Sequence, residues 1–211
     1  MSDIESKQYA CLVLAGRNHG LETLKKINEI TNYNIIAIFT HKLNPKSIDI
    51  KQKERDDFSD YEKFAETNSV PLYTIDKLDE KYILDNFALQ HNYDFLISVS
   101  WRYLISPQVF SKSNLGSINL HRGALPKYAG VEPIKRALQN SEKFIHVSCH
   151  HISKNFDEGK VIFKSIHPTN YDISKSIDDN VERLKIEITP YFPQLTIKSL
   201  ELLIDSKYHG K

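Results

Sequence analysis

Glycine is scarce in this chain of 211 residues: 7 are present, where average usage of roughly 7% would give about 15. Gly116, Gly123, Gly130 and Gly159 nonetheless lie close together, so the stretch they mark is a place to look for special backbone. Cysteine is also rare. Cys11 and Cys149 each sit in an apolar, strand-like run, which suits buried reduced thiols better than a disulfide framework. Neither sign of charge dominates, with 28 Lys+Arg against 27 Asp+Glu and a net charge of +1. That balance gives no broad electrostatic footprint for nucleic acid, which is disfavoured as a main partner. Long hydrophobic runs are missing: the longest stretch free of charged residues is the 11 residues from Thr31 to His41, far short of the ~20 needed to span a bilayer. The first residues, Met1 to Lys7, lack the apolar region of a signal peptide. A soluble cytoplasmic protein of one compact domain, with no membrane partner, is expected.

What is present is an alternation of short apolar and longer amphipathic segments. Tyr9 to Ala15 reads as a strand, followed by a helix carrying Leu21, Leu24, Ile27 and Ile30. Asn34 to Phe39, Val70 to Ile75, Tyr93 to Ser98 and Ser117 to Leu120 read as further strands. His41 to Asp60 reads as a long polar loop, and helices are expected near Tyr61 to Thr67 and over Lys77 to Gln90. This βαβα order predicts an α/β fold, a mostly parallel sheet with helices on both faces. Pro133 suits the first turn of a helix continuing through Ile134, Ala137 and Leu138. Phe144 to Ile152 and Val161 to Ile166 are too close in sequence for a crossover, so they predict a late antiparallel hairpin. Ile173 to Ile188 is a helical segment, Pro190 and Pro193 are expected to interrupt it, and Leu195 to Ile204 resumes as a last helix.

Ligands of open parallel sheets bind at the carboxyl ends of strands. Ser117 to His121 ends with Asn119 and His121 two residues apart, hence on one face, which sets an amide beside an imidazole. Taken alone, Asn119 could cap a turn and His121 satisfy a local carbonyl. The loop Arg122 to Gly130 that follows has two glycines and a proline, and such loops carry function disproportionately. Asn155-Phe156-Asp157-Glu158-Gly159 turns the chain between the two late strands. Asp157 would fix the tautomer of His121 and raise its pKa if brought beside it, although an Asp-x-Gly hairpin turn is the plainer reading.

Together, NLH, the LPKYxG loop, the PI helix start and the later D-x-G turn resemble the catalytic domain of the 10-formyltetrahydrofolate-dependent formyltransferases. AIFTH (Ala37 to His41), SVPLYT and YDFLISVSWRYLI extend the resemblance over roughly Tyr9 to Asp205. The resemblance implies a Rossmann-like formyltransferase fold, with residues 1–8 a disordered N-terminus, 9–205 the catalytic domain and 206–211 a tail. It implies Asn119, His121 and Asp157 as the catalytic residues, 10-formyltetrahydrofolate as formyl donor, an amine acceptor, and no metal. In that mechanism Asn119 and His121 donate to a tetrahedral oxyanion, while the His121–Asp157 pair takes the amine's proton. The folate ring is expected in a cleft between the end of the fourth strand and the Asp157 turn, touching Ser100, Trp101, Arg102, Tyr103, Leu125, Asn155 and Phe156. Core packing is an equal reading for Trp101, and solvated surface one for Arg102. Arg122 and Tyr128 are the expected acceptor-binding positions, with solvated surface an equal reading for Arg122. Gly123-Ala124-Leu125 departs from the family's usual Ser-Leu-Leu.

Three acceptors are considered. The resemblance gives glycinamide enzymes a Gly-x-Gly-Ser-Asn phosphate loop after the first strand, where this chain has Ala15-Gly16-Arg17-Asn18-His19-Gly20. The tRNA enzymes add a basic β-barrel domain, and none is expected before the chain ends at Lys211. IFTHKLNP and ISVSWRYLI look most like the formyltransferase domain acting on UDP-4-amino-4-deoxy-arabinose, so an amino-sugar nucleotide leads, with glycinamide ribonucleotide and methionyl-tRNA as alternatives. A small-molecule amine and folate are then the partners, with a homodimer left open. A catalytically silent folate- or nucleotide-binding protein stays open. Relatives that hydrolyse 10-formyltetrahydrofolate usually carry an extra N-terminal regulatory domain, which is not expected ahead of Tyr9. NAD binding fails because no G-x-G-x-x-G follows the first strand. A metal hydrolase built on His146, His150, His151 and His121 is disfavoured, because adjacent strand residues such as His150 and His151 face opposite ways.

Overall fold

A computed structural model describes residues 8–208. Its contacts divide the chain into two compact units, the first ending at Ser117 and the second beginning at Ile118. The fold is α/β, with parallel strands first and antiparallel strands late.

The first unit holds β1 (Tyr9–Ala15), α1 (Arg17–Asn28), β2 (Tyr33–Thr40), α2 (Phe58–Thr67), β3 (Leu72–Thr74), a 3-10 turn (Leu78–Lys81), α3 (Tyr82–Gln90), β4 (Phe95–Val99) and α4 (Pro107–Phe110). Its strands run parallel in the order β3-β2-β1-β4, with Val13 paired to both Ile38 and Ile97. Cys11 to Ala15 and Phe95 to Val99 are buried residue after residue. That continuous burial is the mark of a parallel strand covered on both faces, and explains why these runs are apolar without alternation. Fully burying each such Leu, Ile or Phe contributes about 1.5–3 kcal/mol. The loop after β2 is less open than its polar sequence suggests: Leu43 and Glu54 form an antiparallel bridge, and Arg55 is buried.

The second unit holds most of β5 (Gly116–His121), then α5 (Pro133–Gln139), β6 (Phe144–His151), β7 (Val161–Pro168), α6 (Ile177–Glu187) and α7 (Tyr191–Tyr208). β6 pairs antiparallel with both β5 and β7, which makes the expected hairpin. Pro133 is the first residue of α5, where its missing N–H costs no helical bond. Ser176 caps α6 and exchanges hydrogen bonds with Asp179.

Two expectations need correction. Pro193 does not interrupt a helix: it lies in the first turn of α7, whose N–H groups have no intrahelical partner, and the break falls at Ile188 to Pro190. α7 continues through Tyr208, so residues 206–208 are helix and not tail. The expected disorder of residues 1–8 falls, but for Gln8, outside the described residues, as do positions 209–211. No helix among the described residues is long and apolar enough to cross a membrane.

Candidate active site

Asn119 and His121 stand two apart near the end of β5, and in the antiparallel ladder they face His150 and Ser148 of β6. Asp157 lies in the turn between β6 and β7 with φ of 56°, a left-handed conformation that Asp tolerates better than most residues. Gly159 explains the rest of that turn. A Cβ there would come 1.6 Å from the His151 carbonyl oxygen, so only glycine allows the chain to pass.

The second unit thus brings Asn119, His121 and Asp157 together. His121 Nδ1 lies 3.2 Å from Asp157 Oδ2, and Asn119 Nδ2 donates to Asp157 Oδ1 at 3.3 Å. The Gly130 N–H also donates to Asp157, at 3.0 Å. On the other side of its ring, His121 Nε2 lies 2.7 Å from the Tyr128 carbonyl. A carbonyl only accepts, so this contact places a proton on Nε2. Gly123 makes room for it: a Cβ at that position would fall 2.8 Å from both His121 Nε2 and the Tyr128 oxygen. Ser148 Oγ donates to the Gly123 carbonyl at 2.7 Å and ties the loop to β6. The Leu125–Pro126 peptide within this loop is cis.

The electrostatics follow from burial. Burial pushes the His121 pKa below its ordinary value, although Asp157 and the Tyr128 carbonyl pull it upward. Burial works against ionisation of Asp157, but the His121 ring and the Gly130 N–H beside it favour the carboxylate, and its carboxyl lies below the usual range. The neutral His121 ring carries one proton between two acceptors, and a second proton would satisfy both. That is the arrangement of a base that is neutral at rest and stabilised on taking up a proton.

The other positions read from the sequence are placed individually. In the first unit, Trp101 stacks on His41 with ring centroids 4.4 Å apart, and its Nε1 is buried without a hydrogen-bond partner. The Arg102 N–H donates to His41 Nε2 at 3.3 Å, and its guanidinium lies 4.0 Å from Asp76. Burial, followed by the charge of Arg55, pushes the Arg102 pKa down to about 10. Tyr103 donates to the Asp76 carbonyl at 2.6 Å. Ser100, with φ of 57°, has Oγ 2.5 Å from His19 Nε2. In the second unit, Leu125 and Arg122 are half-buried, Phe156 is exposed, and Asn155 donates to Glu158. Tyr128 is buried with its hydroxyl donating to Glu142, so its part in the arrangement is played by its carbonyl.

Sequence reasoning missed several residues. His41 is wholly buried, donates from Nδ1 to the Ile75 carbonyl at 2.5 Å, and anchors the segment 101–103. Arg55 donates to Asp57 and Thr40, while its Nη2 is buried without a partner. Ser148, and His150 in any role but that of a metal ligand, had a usable signal, a two-residue spacing on β6 that mirrors Asn119 and His121 on β5. Among the described residues no group of three or more His, Cys, Asp or Glu is placed to hold a metal ion.

Comparison with known proteins gives a consistent picture. The family model described as formyl transferase matches residues 10–190. A methionyl-tRNA formyltransferase from Dictyoglomus turgidum is 30% identical over 177 residues, covering 82% of this chain and 52% of that protein. The bifunctional polymyxin resistance protein ArnA of Wigglesworthia glossinidia brevipalpis is 28% identical over 159 residues, 75% of this chain and 23% of that protein. The chain therefore spans about half or less of the length of these curated relatives. Among solved structures, a phosphoribosylglycinamide formyltransferase from Bacillus halodurans superposes with a TM-score of 0.68 at 16% identity, covering 94% of this chain and 96% of that one. A formyltetrahydrofolate deformylase from Pseudomonas syringae gives 0.69 at 18% identity, with 92% and 60% covered. At such identities the structural likeness speaks to fold alone.

Proposed function

The chain belongs to the formyl transferase family, and from that premise we propose that it transfers a formyl group from 10-formyltetrahydrofolate to a primary amine, that of an amino-sugar nucleotide. The observation that carries this reading is the His121 ring held between Asp157 and the Tyr128 carbonyl, with Asn119 beside it. The amine nitrogen attacks the formyl carbon, and the carbonyl electrons move to its oxygen. Asn119 supplies an N–H to that oxyanion by giving up its long 3.3 Å contact with Asp157. Losing such a donor typically costs about 100- to 1,000-fold in rate. The His121–Asp157 pair takes the proton from the amine, and the resulting imidazolium satisfies both of its neighbours. The tetrahedral carbon then breaks its bond to N10 of the folate, and that nitrogen receives the proton. Both ring nitrogens of His121 already face acceptors, so its contribution is proton transfer more than oxyanion donation.

An anionic acceptor is supported within the first unit. Arg55 and Arg17 both lower the pKa of Arg102, so positive charge is concentrated there. α1 has no side-chain cap and no acidic residue in its first turn. A diphosphate would offset that charge. The likeness to methionyl-tRNA formyltransferase supports methionyl-tRNA as the second acceptor, and a glycinamide ribonucleotide would suit the same arginines. Incubating the protein with 10-formyltetrahydrofolate and a panel of UDP- and dTDP-amino sugars, glycinamide ribonucleotide and methionyl-tRNA tests the reading by mass. A one-formyl gain on an amino-sugar nucleotide is expected. A gain on another acceptor alone replaces the acceptor, and no gain on any overturns the activity.

A further inference from the structure

We propose that His150 is a positioning residue for the transfer: it fixes which way the Asn119 amide faces and keeps one of its N–H groups anchored while the other serves the reaction. The inference rests on the reading given under Proposed function. It starts from strand pairing, since His150 and Asn119 are directly opposite in the β5–β6 ladder, where cross-strand side chains meet. His150 is 2% exposed, so solvent does not supply its ring with partners.

Its hydrogen bonds then determine its tautomer. His150 Nδ1 lies 2.8 Å from the His151 carbonyl, which can only accept, so Nδ1 carries the proton. In the neutral ring Nε2 is then a lone pair, and the group facing it is Asn119 Nδ2 at 3.1 Å. The amide nitrogen must therefore point toward His150. Were the amide reversed, its oxygen would face both this lone pair and the Asp157 carboxylate, two repulsive contacts in a buried place.

Asp157 alone would favour the same orientation, through the 3.3 Å contact with Asn119 Nδ2. That contact is the one surrendered to an oxyanion. His150 supplies the second hold, which persists while the carboxylate contact is broken. With Nε2 a lone pair, its 3.4 Å approach to the Asp157 Oδ1 carboxylate oxygen is no hydrogen bond, and the Asn119 amide nitrogen, 3.1 Å from one acceptor and 3.3 Å from the other, is the donor that both of them share. Acting through Asn119, His150 touches no reacting atom.

The experiment compares His150→Leu and His150→Gln in the wild-type and Asn119→Ala backgrounds, with formyl transfer kinetics and side-chain amide NMR of Asn119. Gln places an acceptor oxygen near the position of Nε2, whereas Leu fills the space without one. His150→Leu is expected to lower kcat by no more than the roughly 100- to 1,000-fold that a lost donor costs, with the folate KM little changed. His150→Gln is expected to restore most of that loss. In the Asn119→Ala background His150→Leu should cost less than about threefold, because the residue it acts through is gone. The Asn119 amide protons should be hydrogen-bonded in wild type and His150→Gln, and one should lose that signature in His150→Leu. Equal kcat in wild type and His150→Leu, or an equal loss in both backgrounds, overturns the proposal. If the wild-type protein formylates no acceptor, the activity reading fails by itself. The amide spectra still decide this one: an Asn119 signal unchanged in His150→Leu overturns it, and a signal lost there but kept in His150→Gln supports it.

Discussion

His121 Nε2 and the carbonyl of Tyr128 meet at 2.7 Å across a glycine-bounded loop, which turns the ring so that its Nδ1 faces Asp157. The loop after β5 therefore orients the base with a backbone group, independently of what side chain Tyr128 presents. Four outcomes follow from this arrangement and its surroundings.

Gly123→Ala should disturb that contact first. The added methyl would stand 2.8 Å from His121 Nε2, the Tyr128 oxygen and Pro133 Cβ, two of which are fixed backbone or ring. A destabilisation of about 1–3 kcal/mol is expected from such overpacking, with a larger proportional loss of kcat. Urea denaturation and steady-state kinetics measure the two; wild-type values for both would show that the loop moves aside freely.

His121→Ala and Asp157→Ala should leave a folded protein, since neither belongs to the apolar interior, yet lower formyl transfer at least about 100-fold. Because the two act as a pair, the double variant should be little worse than either alone. Multiplied losses in the double variant would mean that they work separately.

Acid sensitivity should come from histidines buried neutral. Burial, with Arg102 nearby, lowers the His41 pKa to about 3, and that of His121 is lowered as well. The unfolded chain takes up those protons below about pH 6.5, while the folded chain does not. Stability should therefore fall as pH drops below about 6.5, and for His41 continue to fall toward about 3. The depressed Asp157 carboxyl adds a loss only further down, below about pH 4, as it becomes protonated. His41→Gln should flatten the stability curve between about pH 6.5 and 4; identical slopes for the variant and wild type would rule out His41 as the source. On the catalytic side, kcat/KM should rise with pH through an ionisation below about 6.5 and level off above it, because the neutral ring is the base.

Trp101 is the only tryptophan, half-buried and stacked on His41. If the pterin rests against the segment it anchors, a folate analogue should change its fluorescence, and Trp101→Phe should raise the donor KM more than it lowers kcat. An emission spectrum indifferent to saturating analogue would leave Trp101 to its packing role.

How far the sequence could be read depended on what kind of signal each element left. β1 was legible to the residue, because Tyr9 to Ala15 is a continuous apolar run closed by Gly16. α4, with four residues, is too short to show a helical period. Pro193 looks like a helix breaker in the sequence because proline ends helices in their interiors, but it is accommodated in the first turn of α7. Asn119 and His121 were legible from strand alternation, and Asp157 from its turn. Arg55 was not, since a guanidinium buried within a polar loop looks like any surface arginine until its partners are known. His150 stands out in the sequence only as a poor metal ligand; its pairing with Asn119 depends on strand register, which no local pattern reveals. The division at Ser117 leaves no trace in composition either, because it runs through a strand without a linker.

The hydrogen bonds described around His121 link Asn119, Tyr128, Gly130, His150 and Asp157, residues of one continuous piece of chain from 119 to 157. Genetic recombination with a breakpoint ahead of Gly116 would exchange Arg17, Arg55 and Arg102 and carry every one of those bonds across intact.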